Sequence, residues 1–169
     1  MLEALSESKM QRLDARFHGL VAVLHDRLEV LVAAERFTFA SRPRGLTGKK
    51  AVYLFCDGDA PFYIGRTKNL GQRLGQHCND GSQPNQSSVA FKLACRDIQI
   101  VRQKYVRGEG WKPLMAKHPQ LDPVFKAWKA RMRGMWIRYV EEPDAVTQAL
   151  LEIYCAVALN TPHNDFDTH

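Results

Sequence analysis

Long apolar runs are missing from this 169-residue sequence, and no stretch approaches the roughly 18 residues that a membrane-spanning helix needs. The first residues, MLEALSESKM, lack the basic and then apolar layout of a secretory signal. Apolar residues make up 45% and charged residues 25%, which excludes a disordered or fibrous chain. We therefore expect a soluble, cytoplasmic protein of about one domain that has no membrane partner.

Closely paired cysteines are missing as well. The four cysteines are widely spaced, with no CxxC pair and no matching histidine pair: Cys56, Cys78, Cys95 and Cys155. This spacing argues against a zinc site. Without a secretory signal, we expect reduced thiols, most of them buried as small apolar side chains.

Lysine and arginine are absent from residues 139–169, which carry six acidic side chains. Residues 42–138 hold nineteen basic and six acidic residues, a net charge of +13, whereas residues 1–41 have a net charge of −1. The overall net charge of +6 therefore hides a strongly basic middle segment. Such a segment favours a polyanionic partner, with a merely solvated basic surface as the alternative.

An apolar stripe at helical spacing predicts a helix over residues 6–36: Leu13, Phe17, Leu20, Leu24, Leu28 and Leu31. The stripe packs either on the core of its own chain or on a second copy, which would give a homodimer. The segment SRPRGLTGKK at 41–50 is typical of a linker. We therefore predict an N-terminal helical arm at 1–41 followed by one domain at 42–169.

The remaining pattern predicts an α+β fold with a small three-stranded, mainly antiparallel sheet flanked by helices. AVYLFC and FYIG predict two strands, because the DGDAP between them contains a hairpin turn signal. A third strand is expected in MWIRYVEE. Helices are expected over about 69–78, 89–106 and 122–133, and after Pro143. Thr67 or Asn69 is expected to cap the helix over 69–78.

This order brings polar groups of several kinds into reach of one another. Tyr53 and Tyr63 lie on the paired strands, Arg73 and His77 on the next helix, and Glu152 in an otherwise apolar last helix. Phosphodiester cleavage needs a base for water, a cation for phosphoryl charge and a carboxylate for a divalent metal. Tyrosine, histidine, arginine and glutamate together meet these needs.

The same residues carry a resemblance to the GIY-YIG nuclease superfamily. The spacing is ten from Tyr53 to Tyr63, ten to Arg73 and four to His77, while Glu152 and Asn164 are twelve apart. YIGRTKNLGQRLGQH also follows the family's order of residues. Ala51 stands where the family has its first glycine, and the stretch between His77 and Glu152 is long. The resemblance covers about 48–80 and 136–164.

The resemblance implies a metal-dependent endonuclease acting on DNA, with RNA as an alternative. It implies that Glu152 ligates Mg²⁺ or Mn²⁺, that Arg73 contacts the scissile phosphate, and that Tyr53 is the general base with a depressed pKa. It implies that Tyr63 belongs to the site and that His77 assists Tyr53 or exchanges roles with it. Asn164, or Asn160 in its place, would orient Glu152 or a neighbouring loop, or would simply end a helix.

The basic segment then gains a role as a helical insert, over about 80–135, that holds the substrate backbone. The candidate nucleic-acid contacts are Arg66, Lys68, Arg102, Lys104, Arg107, Lys112, Lys126, Lys129, Arg131 and Arg133. Two other functions stay open. One is a non-catalytic nucleic-acid-binding module with the same fold, and the other is an RNA-directed or structure-specific nuclease.

Overall fold

The computed structural model describes residues 14–100, 110–164 and 166. The elements run in the order α1 (Ala15–Ala22), α2 (Leu24–Ala33), β1 (Ala51–Asp57), β2 (Ala60–Thr67), α3 (Leu70–Cys78), α4 (Ser88–Asp97), α5 (Lys112–Lys117), α6 (Leu121–Gly134), β3 (Trp136–Glu141) and α7 (Ala145–Ala158). None of the described helices combines the length and the apolar character needed to cross a bilayer.

The three strands form one antiparallel sheet in the order β2–β1–β3. Ala51 pairs with Thr67 on one side and with Glu141 on the other. Gly58, in the turn between β1 and β2, has a φ of +61°, a conformation that glycine adopts readily. The predicted α+β fold with a three-stranded antiparallel sheet is therefore confirmed.

Helices cover both faces of the sheet, and for this reason β1 is buried continuously from Ala51 to Cys56. One face, which includes Tyr53 and Phe55, packs against α3, α4 and α6. The other face, which includes Leu54, packs against α2 and α7. The four cysteines are buried thiols, as expected.

The predicted helix over 6–36 is wrong as one continuous element. The chain forms two helices with a break at Val23, and residues 6–13 lie outside the described part. The three leucines of α2 in the stripe are buried in the chain's own core: Leu24, Leu28 and Leu31. Among the described residues, this half of the stripe therefore packs within the chain, whereas Phe17 is exposed. The division of domains at residue 41 stays a prediction.

The segment 41–50 is not a free linker. Leu46 is 4% exposed and its carbonyl accepts a hydrogen bond from Gly71 N at 3.0 Å, while the Lys49 carbonyl accepts one from Leu70 N at 2.9 Å. The segment is therefore fixed to the start of α3. The predicted helix over 89–106 also ends early, at Asp97, because Gln99 has a φ of +57°; residues 101–106 lie outside the described part.

Candidate active site

Tyr53 and Tyr63 lie on the same face of the β1–β2 hairpin. Tyr53 pairs with Gly65, and Tyr63 pairs with Phe55, two residues along β1. The Tyr53 ring lies across Gly65, so closely that a Cβ at residue 65 would stand 2.3 Å from the Tyr53 hydroxyl. A glycine inside a strand is a signal for such a close approach, and the sequence analysis assigned Gly65 no role.

Helix α3 places Arg73 and His77 over the same face. Its first turn is capped by Asn69, whose side chain accepts a hydrogen bond from Gln72 N at 3.1 Å. Residues four apart share one side of a helix, so Arg73 and His77 both reach the Tyr53 hydroxyl. His77 Nε2 lies 2.8 Å from Tyr53 Oη, and Arg73 Nε donates to Oη at 3.2 Å.

Burial controls the protonation of this pair. Tyr53 and His77 are both 0% exposed. Burial, aided by the charge of Arg73, lowers the pKa of His77 well below 6.5, so its imidazole is neutral. Arg73 can only donate, which leaves the Tyr53 O–H free to donate to His77 Nε2. The other ring nitrogen, Nδ1, is buried without a hydrogen-bond partner among the described residues.

We expected a depressed pKa for Tyr53, but the protein without metal raises it. Burial raises the pKa of Tyr53 well above 10.0, and neighbouring Arg73 opposes that rise without overcoming it. Tyr63 is half-buried, with its ring centroid 6.3 Å from that of Tyr53 and 5.8 Å from that of His77. Burial raises the pKa of Tyr63 as well, again against Arg73. Tyr63 is thus the outer phenol and Tyr53 the inner one.

Arg73 is also held by two acceptors other than Tyr53. Its Nη1 donates to the Gln76 side chain at 2.9 Å and to the Gln86 carbonyl at 2.7 Å. These contacts fix the direction of the guanidinium, which is half-buried. Neither contact has a sequence signal, because a glutamine three residues from an arginine is common and any residue can supply the backbone carbonyl that Gln86 provides.

Glu152 approaches from α7, which packs along the edge strand β2. Its Oε2 accepts a hydrogen bond from Arg66 Nε at 2.8 Å. Burial raises the pKa of the Glu152 carboxyl, and the cations Arg66 and Arg73 oppose the rise. The charge of Glu152 also acts on Tyr53 and Tyr63. The contact with Arg66 thus holds the carboxylate beside β2, the strand that carries Tyr63.

Asn164 contacts β2 and not Glu152. Its Oδ1 accepts from Ile64 N and its Nδ2 donates to the Ile64 carbonyl, both at 2.9 Å. The side chain thus binds the strand between Tyr63 and Gly65. The competing Asn160 ends α7 with a φ of +48°, and its N–H bonds to the Val157 carbonyl.

Residues 49–117 match the family model of the GIY-YIG catalytic domain. This part of the chain belongs to the GIY-YIG family. The matched range contains the two tyrosines, Arg73 and His77, and it ends before Glu152. No curated protein and no solved structure is similar enough to the chain to count as a match.

The GIY-YIG family is a nuclease family, and its members generally use a divalent metal. In residues 14–100, 110–164 and 166, no three His, Cys, Asp or Glu side chains come together as a metal site. Magnesium, however, is commonly held by one or two carboxylates together with water and substrate phosphate oxygens. Glu152, a single partly buried carboxylate that is hydrogen-bonded to Arg66, fits a site of that kind.

One of the predicted nucleic-acid contacts, Lys129, is wrong. Lys129 is 0% exposed, and its Nζ donates to the carbonyls of Asn79, Asp80 and Ser82 at 2.9, 2.6 and 2.9 Å. All three ammonium donors are used inside the protein, so Lys129 cannot hold a substrate phosphate.

Most other predicted contacts in the described part also have internal partners. Arg133 binds the Cys78 carbonyl and the Asp80 side chain, and Arg131 pairs with Asp57. Three further pairs or contacts involve Lys126 with Asp122, Arg66 with Glu152, and Lys112 with the Trp111 ring. Lys68 is exposed. Arg102, Lys104 and Arg107 lie outside the described residues.

Proposed function

We propose that this protein is a metal-dependent endonuclease that hydrolyses phosphodiester bonds in DNA. The observation that carries the proposal is geometric: Arg73 and His77 both hydrogen-bond to the Tyr53 hydroxyl, and Glu152 accepts from Arg66 on the adjoining strand β2. The site combines a carboxylate that could hold a metal ion, a fixed cation and two phenols on neighbouring strands. This is the set of groups that the chemistry requires.

Arg73 is proposed to bind the scissile phosphate. Its guanidinium is already directed by Gln76, the Gln86 carbonyl and the Tyr53 hydroxyl, so little order is lost when a phosphate arrives. A fixed guanidinium stabilises the negative charge that grows on the phosphoryl oxygens in the transition state. Lysine would keep the charge but lose the forked geometry.

Tyr53 is proposed as the group that takes the proton from the attacking water. Its O–H points to neutral His77, which can accept the phenol proton at Nε2 as Tyr53 becomes a phenolate. Arg73 donates to the same oxygen and stabilises that phenolate. His77 therefore acts through Tyr53, because its Nε2 is already bonded to the Tyr53 hydroxyl. When held by Glu152, a divalent metal would supply Lewis-acid activation at the phosphate.

A second candidate for the base is Tyr63. Tyr53 is 0% exposed, whereas Tyr63 is half-buried and lies nearer to solvent. The two assignments are separated by Tyr53→Phe and Tyr63→Phe, each of which removes one hydroxyl and keeps the ring. Loss of cleavage in Tyr53→Phe with activity retained in Tyr63→Phe supports Tyr53, and the reverse result assigns the base to Tyr63.

The main test is nicking of supercoiled plasmid DNA in Mg²⁺ or Mn²⁺, comparing the wild type with Glu152→Gln. This substitution keeps the side-chain shape and removes the charge. We expect the rate to fall at least ~100-fold in Glu152→Gln, and also in Arg73→Lys, because each removes a group that acts on the transition state. Full cleavage in chelator, or by Glu152→Gln, contradicts the proposal.

The substrate class is tested by parallel digestion of duplex DNA, single-stranded DNA, branched DNA and RNA. Faster cleavage of duplex DNA supports the proposal as stated. Preference for RNA or for branched DNA would replace it with an RNA-directed or structure-specific nuclease. Salt-sensitive binding without cleavage of any substrate would identify a non-catalytic binding module.

A further inference from the structure

Three exposed cations near the start of β1 and the end of β2 have no partner among the described residues. The side chains of Arg44, Lys50 and Lys68 make no hydrogen bond or ion pair within the part of the chain that the structure describes. We call these three residues the basic patch. They contrast with Lys126 and Arg131, which are paired with Asp122 and Asp57. Unpaired surface cations are the ones available to an external anion.

The strand register brings two members of the basic patch together. Ala51 pairs with Thr67, so Lys50, just before β1, and Lys68, just after β2, lie at the same end of the hairpin. The third member, Arg44, lies on the segment that is fixed to α3 through the carbonyls of Leu46 and Lys49. The basic patch is therefore gathered at the start of α3.

The segment 41–50 and helix α3 both require glycine where they meet. Gly45 and Gly48 each have a φ of +81°, and a Cβ at Gly71 would stand 3.1 Å from Thr47 N. These constraints fix the segment against α3, and they hold the backbone that carries Arg44 in place. The sequence shows only a run of Gly, Pro and basic residues here, which is why it indicated a linker.

The acidic residues near the basic patch are already neutralised. Glu141 pairs with Ala51 across the sheet and binds Lys49, and Glu142 binds Arg27 Nη2 at 2.9 Å. The positive charge of Lys50 and Lys68 is therefore not cancelled by these two neighbours on β3.

The start of α3 does not itself offer an anion site. The N–H groups of Leu70, Gly71 and Gln72 donate to Lys49 O, Leu46 O and Asn69 Oδ1. An anion near this end must therefore be bound by side chains. Arg73 lies only three residues along α3 from Leu70, a rise of about 4.5 Å. A polyanion that contacts Arg73 therefore passes the basic patch.

We propose that Arg44, Lys50 and Lys68 bind backbone phosphates of duplex DNA next to the linkage that Arg73 contacts. This inference rests on the proposed nuclease function. It moves the substrate-binding surface from the paired cations of the insert to the segment before β1 and the end of β2.

Equilibrium binding of a labelled DNA duplex tests the inference without any cleavage. All proteins carry Glu152→Gln, the buffer contains chelator, and salt is varied. The patch variant combines Arg44→Gln, Lys50→Gln and Lys68→Gln. The logarithm of affinity falls with the logarithm of salt by about 0.9 per phosphate contact, so the slope should decrease by up to about 2.7. We also expect binding at low salt to weaken at least ~10-fold.

A control variant combines Lys126→Gln with Arg131→Gln and should change the slope by less than about 0.5, because both cations are internally paired. A variant with Lys50→Arg and Lys68→Arg keeps the positive charge and should bind DNA like the Glu152→Gln protein. This control shows whether the patch variant loses affinity because charge is removed or because the protein is misfolded. An unchanged slope in the patch variant, or an equal loss in the control, overturns the inference. A loss confined to an RNA duplex overturns the assignment to DNA.

The two proposals can fail separately. If the patch variant loses DNA affinity while the wild type cleaves nothing in Mg²⁺, the inference stands and the nuclease proposal fails. If the wild type cleaves and Glu152→Gln does not, while the patch variant binds normally, the nuclease proposal stands and the inference fails.

Discussion

Replacing Gly65 with alanine is the sharpest single perturbation of this site. The added Cβ would stand 2.3 Å from the hydroxyl oxygen of Tyr53 and 2.4 Å from its Cζ atom. Non-bonded carbon atoms prefer separations of about 3.5–4.0 Å, so the ring must retreat by more than about 1 Å. Phe55, Tyr63 and His77 surround that ring with centroids 5.7–6.3 Å away, which leaves it no free direction.

Two effects should lower the free energy of unfolding of Gly65→Ala. Overpacking of a filled core costs about 1–3 kcal/mol. Displacing Tyr53 also breaks its hydrogen bond to His77, and a buried polar group left unpaired costs about 1–3 kcal/mol. We therefore expect the free energy of unfolding to fall by about 2–6 kcal/mol, which lowers the Tm of a chain of this length by roughly 5–20 °C.

The measurement is urea unfolding followed by tryptophan fluorescence, with plasmid nicking measured on the protein that stays folded. Gly19→Ala is the matched control, because no atom lies within 4 Å of the added Cβ and the residue is inside α1. That change should be neutral or stabilise by up to about 1 kcal/mol. A Gly65→Ala protein with wild-type stability and cleavage would refute the account of how Tyr53 is held.

Three further predictions concern stability. The folded protein protonates His77 only well below pH 6.5, whereas the unfolded chain does so near 6.5, so stability is lost as the pH falls. Between pH 7.5 and 5.5 this histidine should account for a loss of about 1.4 kcal/mol, measured as the difference in urea unfolding between wild type and His77→Phe. Lys129→Met should cost at least about 2 kcal/mol, because three backbone carbonyls lose the donor that the buried lysine supplies, while Lys126→Met stays within about 0.5 kcal/mol; equal thermal shifts would contradict this. Asn164→Ala should cost about 1–2 kcal/mol by removing two hydrogen bonds to Ile64. Asn164→Asp should cost at least as much, because a carboxylate oxygen then faces the Ile64 carbonyl, and calorimetry of both variants checks the order.

Elements with strong local signals could be predicted from the sequence. The hairpin follows from two aromatic-rich runs on either side of Asp-Gly, and α7 follows from Asp144, whose side chain caps it by accepting from Val146 N and Thr147 N. The spacing of Tyr53, Tyr63, Arg73 and His77 also indicated which side chains would meet. These signals act over a few residues, where backbone preference decides the structure.

Long-range pairing could not be predicted in the same way. Arg66 and Glu152 are 86 residues apart in sequence, and nothing local distinguishes Arg66 from a cation that faces solvent. The three carbonyls that bind Lys129 lie 47–50 residues before it. A count of charges therefore located the basic segment correctly and could not separate its internal ion pairs from its free cations.

Asn164 has a consequence for how this protein meets other protein molecules. A three-stranded sheet has two outer strands, and each presents unpaired backbone groups that can recruit a strand from another chain. The Asn164 amide covers β2 at Ile64, and Phe37 exchanges two backbone hydrogen bonds with Ile137 on β3. Both outer strands, β2 and β3, are thus hydrogen-bonded near their middle to other residues of the same chain. A strand from another molecule would therefore have to displace these contacts to pair with β2 at Ile64 or with β3 at Ile137.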